Sequence, residues 1–204
     1  MQKILAIALL IAASSTATSW ADTMQQALEK SYEAEKAGLY DQAVTALLGQ
    51  RKPTYLINMR LGWLHYLRQD YPTSKQFYQA AMRMAPKAVE PRLGYTLPLM
   101  AELRWGEVET ACRSILSVDS SQYTAALRLT TALRMQAKYQ AARTVNAGML
   151  ELYPNDVSFL AEQLVVSAVL KTSDVRALCE TILLLDPTNV TANAYLPTLV
   201  MSRR

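Results

Sequence analysis

Histidine occurs once in this sequence and cysteine twice. With no second His there is no histidine pair to hold a metal ion, and no Ser or Cys arrangement points to a nucleophilic triad. HExxH, CxxC and Gly-rich phosphate loops are all missing, so neither a cofactor nor a metal is expected and enzyme chemistry has no residues to rest on. Glycine is scarce too, at 6 residues, with 8 prolines. Ala, Met and aliphatics dominate instead, a composition that favours helix over strand. No block of like charge occurs. The basic residues are scattered, the formal charge is only +4, and a nucleic-acid partner is not indicated. Beyond the first residues no apolar run is long enough to cross a bilayer.

The N-terminus has the pattern of an export signal. Lys3 gives a positive start, ILAIALLIAA (4–13) an apolar stretch, and Ser19-Trp20-Ala21 small residues before a cleavage site after Ala21. Ten apolar residues span about 15 Å as a helix, roughly half a bilayer core, so cleavage fits better than a permanent anchor. No Cys lies near that site to carry a lipid. The mature chain, from residue 22, is expected outside the cytoplasm, in the periplasm or secreted. Asn189-Val190-Thr191 matches a glycosylation sequon, discounted because the signal has a bacterial look.

The rest of the chain repeats itself. AAMRMAP, SILSVDS and GMLELYP end at Pro86, Ser120 and Pro154, 34 residues apart, and TILLLDP ends at Pro187, 33 further on. Upstream of the first three endings lie Tyr71 and Ser74, Trp105 and Val108, Tyr139 and Ala142, again 34 apart. Proline stops a helix, while Gly62, Ser74, Ala81 and Ala142 are small enough to let two helices approach closely. Tyr78, Leu116 and Leu150 are large and can fill the gap to the next hairpin. One such hairpin cannot bury its apolar face alone, so the repeats are expected to stack.

A period of 34 with this pattern resembles the tetratricopeptide repeat (TPR), a helix–turn–helix family. Residues 55–88 carry the fullest match, with Leu61-Gly62, Tyr71, Ser74, Tyr78, Ala81 and Pro86. Repeat 89–122 departs with Thr96 for Gly, Cys112 for the aromatic and Ser120 for Pro. Repeats 123–156 and 157–189 follow. A truncated repeat at 24–54 has Tyr40, Ala43, Leu47 and Pro53. Residues 190–204 then form a capping helix, with Tyr195, Leu196, Leu199 and Val200. The expected fold is an all-α TPR solenoid of about five repeats plus that cap. Pro98 and Pro197 should kink or shorten the helices that contain them.

In repeat 55–88 His65 falls where the family usually has Tyr, and packing with a single hydrogen bond accounts for it. Cys112 and Cys179 share one repeat position, two repeats apart. Helix spacings of about 9 Å then separate them by roughly 20 Å, beyond the ~7 Å that a disulfide spans, so two buried free thiols are expected.

The resemblance also implies a groove lined by the first helix of each repeat. Those positions are Met59, Trp63, Tyr66 and Leu67; Leu93, Leu97 and Met100; Leu127, Thr131, Arg134 and Met135; and Ala161, Val165 and Val169. Read this way the groove is apolar, Met-rich and nearly free of acid, suited to adaptable contact with a helix or extended peptide. The Lys and Asn used by relatives that clamp a carboxyl terminus are missing. The expected function is a non-enzymatic scaffold or adaptor in the periplasm, binding a protein or peptide partner in envelope assembly, secretion or pilus biogenesis. Two alternatives stay open: a homo-oligomer formed through the groove and the C-terminal helix, and an accessory subunit of an envelope enzyme.

Overall fold

A computed structural model describes residues 23–49 and 54–201, with side chains described as far as Tyr195. The export signal and Pro53 lie outside the described residues, as do the side chains of Leu196, Leu199 and Val200. The chain divides into two compact units, Met1–Pro98 and Leu99–Arg204. Among the described residues every element is a helix, and none is long and apolar enough to cross a membrane.

The first unit holds α1 (23–36), α2 (Tyr40–Leu48), α3 (Tyr55–Leu67), α4 (Tyr71–Met84) and most of α5 (Glu90–Ala101). The second holds α6 (Trp105–Leu116), α7 (Tyr123–Met135), α8 (Tyr139–Leu152), α9 (Val157–Leu170), α10 (Val175–Leu185) and α11 (Val190–Met201). Odd-numbered helices are the first helix of a hairpin, or the cap, and even-numbered ones the second. Both proline-bearing helices run on past their proline, α5 to Ala101 and α11 to Met201. Neither is cut short, although Pro98 cannot donate to the carbonyl of Gly94 one turn earlier.

Turns inside the hairpins share one backbone device. Gly38, Gln69, Leu103, Ala137 and Lys171 all have positive φ, between 55° and 73°. After each, a backbone N–H reaches back five residues: Leu39 to Ala34, Asp70 to His65, Arg104 to Leu99, Lys138 to Leu133 and Thr172 to Ser167. These left-handed caps satisfy carbonyls that the helix end would leave unpaired. From Gln69 to Lys171 they recur every 34 residues, so the repeat is written in the backbone as well as in the side chains.

The second helices stop in a way that depends on proline. Ala85, Tyr153 and Asp186 precede Pro86, Pro154 and Pro187, and each leaves the helical region, with φ between −130° and −141° and ψ between 70° and 90°. The proline ring forces that on the residue before it. At Ser120 nothing does, and α6 ends at Leu116 with a helical cap at Ser117, which leaves Val118 in the turn.

In the first unit the core joins Ala43, Val44 and Leu47 of α2 to Ile57, Leu61 and Leu64 of α3, with Trp63 and Phe77 against them. The Tyr78 ring lies between two glycines, Gly62 and Gly94. Ser74 Oγ donates to the Gly62 carbonyl at 2.7 Å, pinning α4 to α3. In the second unit Ala126, Met149 and Phe159 form one cluster, and Leu160, Leu164, Cys179, Ile182 and Ala192 another; Leu150 packs against both. Tyr78, Cys112, Asn146 and Cys179 occupy one repeat position and are all buried. Where that residue is Asn146 its amide donates to the Phe159 carbonyl at 2.8 Å and to Gln163 at 3.1 Å.

Candidate functional site

His65 is resolved as a packing residue. It is buried, stacks on Phe77 with 5.2 Å between ring centres, and shares a hydrogen bond between Nδ1 and Asp70 Oδ2 at 2.9 Å. Asp70 in turn caps α4 through the Thr73 N–H, and those hydrogen bonds, outweighing burial, hold its carboxyl below the usual range. Cys112 and Cys179 are both free and buried. Burial pushes the Cys112 thiol up to about 12 and raises Cys179 as well.

The groove positions are neither core nor fully open. Met135 is exposed, and the other eleven of Met59, Trp63, Tyr66, Leu67, Leu93, Leu97, Met100, Leu127, Thr131, Arg134 and Val165 are half-buried. Ala161 is half-buried and Val169 exposed. In the first unit α3 and the start of α4 present an aromatic row: Trp63 to Tyr66 with ring centres 5.6 Å apart, then Tyr66 to Tyr71 at 6.1 Å. Trp63 is also anchored, since its indole N–H donates to Glu35 of α1 at 2.7 Å. Glu35 pairs with the buried Arg60, whose guanidinium lies over the Tyr32 ring at 3.7 Å and donates to the Ser31 carbonyl at 3.3 Å.

A cleft of about 240 Å³ opens between α7, α9 and α11 of the second unit. It brings together Leu127, Thr131, Arg134, Ala161 and Val165 from the expected positions and adds Ser158, Glu162 and Thr191. Here Glu162 is the organising residue. It accepts from Arg134 Nε at 2.7 Å, Arg134 Nη2 at 3.3 Å and Thr131 Oγ1 at 2.8 Å. Those bonds raise the Arg134 pKa against the opposing effect of burial. A bidentate pair of this kind fixes both side chains and cancels their charge.

The expectation that this face is nearly free of acid is therefore corrected. Glu35 and Glu162 each bond groove residues on the first helix of a neighbouring hairpin. Both lie outside the positions chosen by register, so reading one helix at a time missed them. The spacing between partners could have shown them: Glu35 and Trp63, and Arg134 and Glu162, are each 28 apart in sequence.

No model of a known family matches the sequence, and no curated protein matches it. Solved structures do match in shape. A tetratricopeptide repeat protein from Parabacteroides merdae superposes with a TM-score of 0.73 at 12% identity, covering 82% of this chain and 68% of that one. MamA RS-1, as its ArsTM double mutant, gives 0.70 at 11% identity over 82% of this chain and 96% of its own. YrrB, described as a TPR protein with an unusual peptide-binding site, gives 0.66 at 10% identity over 82% and 89%. At such identities the likeness establishes the fold: all-α, built from helix–turn–helix repeats of the tetratricopeptide type.

Proposed function

We propose that this chain is a non-enzymatic protein-interaction scaffold, exported to the bacterial periplasm, that holds a segment of a protein partner in the α7–α9–α11 cleft. The carrying observation is the chemistry of that cleft. Leu127, Ala161 and Val165 supply apolar walls, and the Arg134–Glu162 pair leaves no net charge on the polar floor. Such a lining suits a neutral, aliphatic helix or extended strand, with Thr131, Ser158 and Thr191 near enough to bond its backbone. It does not suit a free carboxyl terminus, because the one cation present is already matched. The peptide-binding site in YrrB's description is in keeping with this reading. The sequence of residues 1–21 supports export, and the resemblance to exported bacterial proteins of this fold is in keeping with a role in envelope assembly, secretion or pilus biogenesis.

Selection from a random displayed-peptide pool tests the cleft. Neutral, aliphatic-rich sequences should be enriched, and their binding lost in Val165→Asp. Enrichment of acidic C-terminal sequences, or binding that survives Val165→Asp, would count against it. The mass of the exported protein tests the leader and should begin at Asp22.

A further inference from the structure

The second unit has another unassigned surface, at the edge where each hairpin passes to the next. Loops 117–122, 153–156 and 186–189 and the helix ends beside them form it. Tyr123, after the first loop, packs edge-on to Tyr153 of the second, with ring centres 5.8 Å apart, and donates to Asp156 at 3.0 Å. Leu150, Val157 and Leu183 pack against the cluster that contains Ala192, tying the second loop to the third. Val118, Leu152, Tyr153, Leu184, Leu185 and Val190 stand out along this edge. Leu184 is 85% exposed, Val190 83% and Val118 79%. Val118, Leu152 and Leu185 recur at 34- and 33-residue spacing, so the row is a product of the repeat.

Charge on this edge has one sign. Segments 114–122, 147–158 and 181–193 contain no Lys or Arg, yet they carry Asp119, Glu151, Asp156 and Asp186. Among the described residues none of these four carboxylates is in an ion pair. Among the described residues five cations of the unit are paired with carboxylates outside these segments: Arg104 with Glu102 and Glu107, Lys138 and Arg113 with Glu109, Arg134 with Glu162, and Arg176 with Glu180; Arg128, Arg143 and Lys171 also lie outside the three segments. An exposed apolar row flanked by unmatched carboxylates, in a chain of net charge +4, is a surface with a defined complement.

We infer that this edge is a second docking surface, for a basic amphipathic helix of a protein partner. Aliphatic side chains of such a helix, at i, i+3, i+4 and i+7, would lie on the apolar row while its Lys or Arg meet Asp119, Glu151 and Asp186. An anionic lipid surface is disfavoured by the same carboxylates. The inference is independent of the α7–α9–α11 cleft, and the two fail separately.

The test uses the full chain and two fluorescent amphipathic peptides, one of Leu and Lys, the other with every Lys replaced by Glu. Anisotropy should show the Leu–Lys peptide binding at least about ten-fold more tightly than its Glu counterpart, with affinity falling as salt rises. The double variant Leu184→Ser, Glu151→Lys should weaken that binding by about ten-fold, because both residues sit outside the core and contribute to the surface alone. Val165→Asp, in the cleft, should leave it unchanged. Equal binding of the two peptides overturns the proposal, as does binding that the edge variant leaves intact. So does sedimentation showing a dimer of the native chain that Leu184→Ser dissolves, since a second copy would then cover the edge.

Discussion

The Tyr78 ring rests on the bare Cα of Gly94: a Cβ built there would lie 2.1 Å from Tyr78 Cε1. At Gly62, on the ring's other side, the same atom would come no nearer than 3.0 Å. Gly94→Ala therefore forces the ring or α5 to move, a cost of about 1–3 kcal/mol that exceeds the roughly 1 kcal/mol of helix propensity gained. Gly62→Ala needs a shift of only tenths of an ångström and should be close to neutral. Urea denaturation of the two variants should rank Gly94→Ala as clearly the less stable; the reverse order would show that Gly62 sets the packing.

Leu103 and Ala137 hold left-handed backbone conformations, at φ 57°, in exposed turns. That conformation costs a non-glycine residue about 1–2 kcal/mol, part of which glycine gives back through its freer unfolded chain. Leu103→Gly and Ala137→Gly should each stabilise the protein by about 0.5–1 kcal/mol. Thermal unfolding at matched pH is sufficient to see it, and a lowered midpoint in both variants would show the turns to be relaxed already.

Glu109 is strongly shifted by its surroundings. Lys138 Nζ at 2.7 Å is the main cause, with Arg113 and Gln136 at 3.0 Å, and together they outweigh burial to hold its pKa at about 2. A carboxylate lowered in the folded state stabilises that state above its ordinary value of 4.5 and loses the contribution as pH falls toward 2. In Glu109→Gln that part of the acid limb should flatten. Parallel curves for variant and parent between about pH 4.5 and 2 would remove Glu109 from the account.

Cys112 and Cys179 should stay reduced and silent. Burial raises both thiols, Cys112 to about 12, so the reactive thiolate is scarce at mildly alkaline pH. A thiol reagent should label neither in the native protein and both in concentrated guanidinium. Rapid native labelling, or a mass two hydrogen atoms short, would contradict the buried, unpaired arrangement.

Much of this was legible from spacing. Endings 33–34 residues apart, three of them at proline, mark the second helices, and equal repeat positions keep the two cysteines apart. Less visible were features that depend on two hairpins at once. Register pointed to Thr96 as the small-residue position of its repeat, yet the close approach to Tyr78 is made by Gly94, two residues earlier. Left-handed turns gave no compositional sign, because Gln69, Leu103, Ala137 and Lys171 are not turn-formers. Glu35 and Glu162 are not legible from one helix, since a charge there reads as solvated until its partner on the next is known. For the same reason Trp63, read as a groove residue, is in addition part of the α1–α3 packing.

Whether the α7–α9–α11 cleft holds a partner is decided by site-specific photo-crosslinking in the bacterial envelope. A photoreactive side chain at Ala161, inside the cleft, should give a discrete adduct with one protein, absent when the probe sits at exposed Thr144 on α8 and lost when Val165→Asp is added. The same adducts from both probe positions, or an Ala161 adduct that persists with Val165→Asp in a folded protein, would contradict it.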